Sequence, residues 1–292
     1  MTDATAHTMP GEAPAYPMLR SGISHAVLMA VSFVMLYPIL WMLAGSLRPA
    51  DDLFGGNTSL IPSQVTVEAY KDGWFGLQIS FGKFFLNSLI IATLATIGNV
   101  LAASLAAFAF TRLQFRGKAV WFALMLGTLM LPYHVTLIPQ YILFLELGWV
   151  NTWLPLILPK YFAVDAFFIF LMVQFFRGIP KELDEAAMMD GCSPWRIYTR
   201  IMLPLSLPVL ATAAIFSFIW TWEDFFGPLI YISDTGLYTV QLALRSFIDS
   251  SGSTNWNALF AMSVLSLIPI FLIFLFFQRL LIEGIATTGM KR

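Results

Sequence analysis

ELDEAAMMDGCSPWRIYTRIMLPLSLP, residues 182–208, lies between two apolar stretches of membrane length. Glu182, Asp184, Glu185 and Asp190 crowd its first turns, and Arg196 and Arg200 follow, in a chain that is 58% hydrophobic and 11% charged. A proline near the first helical position is favoured because its missing N–H needs no partner, so Ile179-Pro180 opens a helix. The acids that follow sit where the helix dipole favours negative charge. Leu183, Ala186 and Ala187 form a small, flat apolar face at helical spacing. Gly191 supplies the left-handed residue that ends a helix. Ser193-Pro194 then restarts the chain as N-cap and first-turn proline. Trp195, Tyr198, Ile201 and Met202 make the apolar stripe of the second helix, and Pro204 marks its junction with the next apolar stretch. The segment reads as helix, glycine turn, helix. An amphipathic insert packed on its own membrane domain is the simplest role for such a segment.

The rest of the chain sets the frame. It has 292 residues, 27 of them phenylalanine, and a mean hydropathy of +0.76. A soluble domain of this length carries more charge, because its surface must stay wet. Several apolar runs exceed the roughly 18 to 20 residues that cross a bilayer as a helix. They are continuous rather than alternating, which favours helices over a barrel. The expectation is an all-α, polytopic membrane protein. A net charge of −1 points to no nucleic-acid partner. The single cysteine, Cys192, excludes an intrachain disulfide and argues against a structural Cys-based zinc site. The first twenty residues are polar, with Asp3 and Glu12 and few cations. That is not the pattern of a cleaved signal peptide, and the first span is expected to act as an uncleaved signal-anchor.

Six spans can be drawn, near 25–47, 84–110, 119–138, 153–176, 205–230 and 259–280, with a short apolar piece at 141–145. Lys160 and Asp165 interrupt the fourth, whose regular part is expected to start near Ala163. Eleven of the sixteen lysines and arginines fall in alternate segments, which the positive-inside rule assigns to the cytoplasm. Both termini, and the 177–204 insert, are then cytoplasmic. No internal repeat is visible. The domain reading is a cytoplasmic tail, 1–22, followed by one membrane domain, 23–292, with a short C-terminal tail.

Spacing within the insert says more. Glu185-Ala186-Ala187, then Gly191, then Ile201, Leu203 and Pro204 follow an EAA–x3–G–x9–I–x–LP pattern, seven fixed residues across twenty positions. This resembles the coupling motif of membrane subunits of bacterial ABC importers. From about Ser21 to Arg292 the chain is similar to permeases of the carbohydrate-uptake group, the maltose and glycerol-phosphate importers among them. Supporting stretches are Ser46-Leu47-Arg48-Pro49, Val135-Thr136-Leu137-Ile138-Pro139, Gln174-Phe175-Phe176-Arg177-Gly178-Ile179-Pro180 and Phe218-Ile219-Trp220-Thr221-Trp222. The resemblance implies a six-span core in the bacterial inner membrane and a second homologous permease. It also implies a dimer of cytoplasmic ATPases, which bind the ATP and Mg, and an extracytoplasmic sugar-binding protein. The EAA helix would dock in an ATPase cleft, with Ala186 and Ala187 allowing close approach, Glu185 and Asp190 as polar anchors and Gly191 fixing the exit angle. The C-terminal 282–292 also resembles the family's tail, either reaching the ATPases or fraying.

No ATPase is legible in this chain. Phe115-Arg116-Gly117-Lys118-Ala119 lacks the upstream glycine and following Ser or Thr of a phosphate loop and reads as a positive-inside anchor. Ionisable groups at membrane depth are functional candidates: Lys160, Asp165, Glu223 and Asp224. Gly227-Pro228 should disrupt the fifth span, and Trp220, Trp222 and Phe225 surround that point with faces suited to sugar rings. Glu223-Asp224 stands where the family commonly has an Asn-acidic pair. The cluster either lines a substrate path or forms an interfacial belt or inter-subunit contact. Lys160 and Asp165 are either a pair at the outer end of span four or cavity groups; Lys160 facing a cavity would favour an anionic sugar. His134 reads as a hydrogen-bonded interfacial residue, and Met188, Met189 and Cys192 as packing residues rather than a metal set. The 233–257 loop is a candidate contact for a binding protein by family analogy.

The reading is a permease subunit that moves a sugar or sugar derivative inward by alternating access and does no covalent chemistry. A secondary transporter would usually show an internal repeat and carboxylate relays. An intramembrane enzyme would need a nucleophile–base or paired-acid constellation, and a purely structural partner leaves the EAA spacing unexplained.

Overall fold

The computed structural model describes residues 18–49, 60–62, 64–248 and 255–289. Residues 1–17, 50–59, 63, 249–254 and 290–292 lie outside the described residues, and with them part of the expected N-terminal tail and of the 233–257 loop. Every regular element is helical among those described. In chain order they are α1 (Met18–Ser46), α2 (Glu68–Phe75), α3 (Phe81–Arg112), α4 (Lys118–Thr128), α5 (Tyr133–Glu146) and α6 (Leu154–Ile157). Then come α7 (Ala166–Gly178), α8 (Glu182–Met189), α9 (Pro194–Ile197), α10 (Leu203–Leu205), α11 (Leu207–Trp222), α12 (Phe226–Tyr231), α13 (Val240–Leu244) and α14 (Trp256–Gly289).

Four helical stretches are long and apolar enough to cross a membrane: Ser24–Ser46, Phe81–Arg112, Leu154–Gly178 and Trp256–Gln278. A fifth forms if the pair Pro194–Leu205 and Leu207–Trp222, bent by 78°, is one span. The third expected span, 119–138, is not one helix. It is split into α4, of 11 residues, and α5, whose N-cap is the extended Pro132. A residue before proline is biased away from the helical region, and proline has no N–H to donate, so Leu131-Pro132 breaks the run. The apolar piece at 141–145 is the continuation of α5, which carries Pro139 inside it. The fifth expected span also ends early. Its helix stops at Trp222, and the chain restarts as α12 with Gly227-Pro228 in its first turn.

The fourth span begins irregularly, as a turn of 3-10 helix, Leu158–Phe162, then Ala163 in the left-handed region at φ 55°. Regular α7 starts at Ala166, three residues later than the sequence implies.

α3 is the central post, packed against α7 and α11. Its buried face is small: Ala92, Ala95, Gly98, Ala103 and Ala107, with Asn99 and Ser104 among them. Small residues let helices approach closely where lipid removes the hydrophobic drive between them, and polar side chains then bond across the seam. Asn99 Nδ2 donates to Ser217 Oγ of α11 at 3.0 Å. Ser104 and Tyr198 hydroxyls share a 2.7 Å bond. One apolar cluster joins the C-terminal half of α3 to α7, the insert and the start of α11. Another joins the N-terminal end of α3 to α2, the end of α11, α13 and α14. A third, smaller one gathers Ile91, Phe144, Leu156, Tyr231 and Ile232. The connection after α12 is pinned: Asn87 Nδ2 donates to the carbonyls of Gly236 at 3.0 Å and Tyr238 at 2.9 Å.

Candidate functional site

The insert is helix, glycine turn, helix, and its local chemistry is visible. Pro180 sits one residue before the N-cap Lys181 rather than inside the helix, and Glu182, Asp184 and Glu185 occupy the first turn of α8. At the other end the Gly191 N–H donates to Met188 O at 3.0 Å and the Cys192 N–H to Ala187 O at 2.9 Å. These two bonds form the Schellman motif, with Gly191 at φ 75° as its left-handed residue. Nothing lies within 4 Å of a Cβ built on Gly191, so its requirement is backbone conformation and not space. Ser193 then caps α9 by accepting from the Arg196 N–H. Tyr198–Met202 follows as one π-helical stretch, with Ile201 at its edge of the core and Leu203-Pro204 leading into the bend.

The faces of α8 differ from the expected arrangement. Asp184 and Ala187 point inward and are buried, while Glu185, Ala186, Asp190 and Gly191 are exposed. Leu183 at 43% and Met189 at 89% exposed add apolar surface to the outer face. Ala187 belongs to the internal cluster and Ala186 to the free face. One of the four acids, Asp184, therefore faces inward. Asp184 Oδ2 pairs with Arg112 Nε at 2.5 Å, both side chains being below a tenth exposed (6% and 8%). Arg112 Nη2 also donates to the Ile179 carbonyl at 2.8 Å. The last turn of α3 thus grips both the end of α7 and the start of α8. Burial pushes the Asp184 carboxyl above its usual range, and Arg112 draws it back. By sequence Arg112 is one of the eleven lysines and arginines that the positive-inside rule assigns to the cytoplasm; its partner Asp184 is 72 positions away, and no local spacing announces it.

Some 13 residues of α7, about 20 Å of helix, separate this clamp from the second candidate region. A cavity of ≈ 920 Å³ opens among α3, α5, the irregular start of the fourth span, α11 and α12. Lys160, Asp165, Trp220 and Asp224 line it, with Thr136, Gln140, Ser217 and Thr221 supplying uncharged polar groups. Lys160 Nζ bonds Asp165 Oδ2 at 2.7 Å, so the two are a pair and also cavity groups. The Trp220 ring is half exposed and leans on Phe167 and Phe168 at centroid distances of 5.3 and 5.1 Å. Asp224 accepts from the Gly227 N–H at 3.0 Å and so starts α12. A Cβ on Gly227 would collide with that carboxylate, so glycine is needed here for close approach.

Two of the expected path residues do not line the cavity. Trp222 is 1% exposed in the α2–α3–α14 cluster, and its indole donates to Ser266 O at 3.1 Å. Residues two apart on a helix face in nearly opposite directions, so Trp220 and Trp222 cannot share a wall. Glu223 is exposed at the C-cap of α11 and lies outside the lining. His134 packs its ring 5.9 Å from Phe226. Among the described residues no group of three or more His, Cys, Asp or Glu is placed to hold a metal.

Helices of membrane-spanning length and apolarity, a cavity with a few polar groups on an apolar wall and a clamped two-helix insert together are those of a membrane component. The chain belongs to the family of binding-protein-dependent transport system inner membrane components, whose description matches residues 98–287. It is a multi-pass inner-membrane permease component rather than an enzyme, and such a system implies a binding protein and an ATPase as partners. It is 36% identical over 255 residues to the "Probable ABC transporter permease protein YurM" of Bacillus subtilis, covering 87% of this chain and 83% of the relative. It is 33% identical to the arabinooligosaccharides transport system permease protein AraQ of Halalkalibacterium halodurans, with 89% and 93% covered. In the crystal structure of a bacterial ABC transporter involved in import of the acidic polysaccharide alginate, one chain superposes with a TM-score of 0.79. That match covers 93% of this chain and 99% of the other at 21% identity, a likeness of fold.

Proposed function

We propose that this permease carries a sugar or sugar derivative into the cell by alternating access, driven by a dimer of ABC ATPases that bind ATP and Mg. The observation that carries the reading is α8. Its EAA helix is held from behind by Arg112 and Asp184 and offers Leu183, Ala186 and Met189 outward, flanked by Glu185 and Asp190. Such a face suits a cleft in a cytoplasmic partner, with Ala186 allowing close approach. Gly191 and the Ile201, Leu203 and Pro204 run make the following helix leave at a set angle. The two then move as one lever.

In this reading the chain crosses the membrane six times, the split α4–α5 region supplying the third crossing. Both termini are cytoplasmic, in keeping with the distribution of lysine and arginine. A second, homologous permease completes the path, and an extracytoplasmic binding protein delivers substrate. The sugar assignment is supported by the relative named for arabinooligosaccharides. Lys160, Asp165, Trp220 and Asp224 form this chain's share of the path, Trp220 stacking on a sugar ring, while Trp222 supports the wall and Glu223 lies beside it.

The test is uptake by proteoliposomes containing the assembled transporter and its binding protein. Sugar accumulation that needs internal-face ATP and stops on ATP depletion is expected. Uptake that persists without ATP while an ion gradient is kept up would overturn the proposal in favour of a secondary transporter.

A further inference from the structure

The charges that this chain's described residues bring to the cavity offset one another. Among the described residues that line it, Lys160 is the single cation, set against two carboxylates, Asp165 and Asp224. The Lys160 ammonium is held by Asp165 at 2.7 Å with both side chains only about a quarter to a third exposed (30% and 26%). Asp224 lies within electrostatic reach of the same ammonium and is fixed by the Gly227 N–H. Whether or not Asp224 carries its proton, this chain's described share of the wall offers no positive charge without a carboxylate beside it.

An anionic sugar is favoured by such a charge. Carboxylates and phosphates are recognised by lysine or arginine groups that are free to pair, and like charges brought together away from bulk water are costly. A neutral glycan needs only what the wall already has, an aromatic face and hydroxyl and amide partners, here Trp220, Thr136, Gln140 and Thr221. Resting on the reading that this cavity is part of the substrate path, we propose that it selects an uncharged glycan, and that the Lys160–Asp165 pair with Asp224 excludes acid-bearing sugars. A lysine at this depth therefore does not mark an anion path. Its aspartate partner cancels it, and no cation of this wall is left over to draw an anion.

The proposal is tested by calorimetric titration of the assembled transporter in nanodiscs, without the binding protein, so that its own selectivity does not enter. The probes are two neutral trisaccharides, arabinotriose and maltotriose, and one anionic one, trigalacturonate. The wild-type complex is expected to bind a neutral probe at least about tenfold more tightly than the anionic one. Removing both carboxylates (Asp165→Asn with Asp224→Asn) frees the Lys160 charge, and the ratio should move toward the anion by about tenfold or more. Equal wild-type affinity for both charge types, or a ratio unmoved in the double variant, overturns the charge proposal while leaving the cavity reading standing. If no probe of either charge gives heat, or if Trp220→Phe leaves the heats unchanged, the cavity is not the binding site and both ideas fall together.

Discussion

Arg112, in the last turn of α3, holds Asp184, in the first turn of α8, across a buried 2.5 Å ion pair. The same guanidinium takes the Ile179 carbonyl at the end of α7. Three elements meet on one side chain: the last turn of α3, the end of α7 and the first turn of α8.

Removing one partner of a buried pair strands the other charge, at a cost of about 3–5 kcal/mol, whereas replacing both by apolar groups is often neutral. Arg112→Met and Asp184→Leu are each expected to lower transporter stability and the sugar moved per ATP hydrolysed. The double variant should regain much of the stability. A thermal-melt and uptake cycle on the four proteins checks this; strictly additive losses would show that the pair does not act as a unit.

The pair also sets a pH dependence. Asp184 has a folded-state pKa above its unfolded value, burial being the larger cause and Arg112 opposing it. Below the unfolded value it is neutral in both states and its ionisation has no effect. As pH rises from there through the folded value, charging it disfavours the folded state. In Arg112→Met the opposing charge is gone and the window extends to higher pH. The variant should lie nearest the wild type in mildly acidic buffer and fall behind as pH rises. Melts across that range measure it, and a deficit independent of pH would count against the assignment.

Gly191 is left-handed with open space around its Cβ position. A non-glycine residue there costs roughly 1–2 kcal/mol in backbone strain, with asparagine tolerated best and β-branched residues worst. Gly191→Val should leave the subunits assembled but uncouple uptake from ATP hydrolysis, and Gly191→Asn should stay close to wild type. Normal uptake by the valine variant in proteoliposomes would remove Gly191 from the coupling path.

The two tryptophans of α11 should separate cleanly. Trp222→Phe deletes the indole bond to Ser266 and is expected to lower stability by about 1 kcal/mol with little change in sugar preference. Trp220→Phe should do the reverse, weakening substrate affinity at nearly unchanged melting temperature. Exchange of those two phenotypes would show that the cavity lies on the other side of α11.

How much was legible follows from how local each signal is. The helix–glycine–helix insert was readable because caps, the Schellman glycine and first-turn acids act within a few residues. The long spans were readable because length and hydropathy are additive along the chain. The break of the third stretch at Leu131-Pro132 is less legible, because one proline is outweighed by the apolar residues around it, whereas the break near Gly227-Pro228 is expected from the sequence and falls a few residues earlier, at Trp222. Of the cavity, the residue types were legible but not the wall each belongs to. Trp220 and Trp222 fell into one cluster on paper, although a helix turns them apart.

By itself, the sequence determined an all-helical membrane chain with an EAA insert, since hydropathy, capping and motif spacing are properties of neighbouring residues. Only the tertiary structure decided that Asp184 faces Arg112 rather than a partner, and that Lys160 enters the cavity already matched by Asp165. An amphipathic pattern states that a helix has two faces, but the face that turns inward is chosen by groups distant in the chain. Charge has the same limit, because the force on a ligand depends on which opposite charges the fold has brought within a few ångströms.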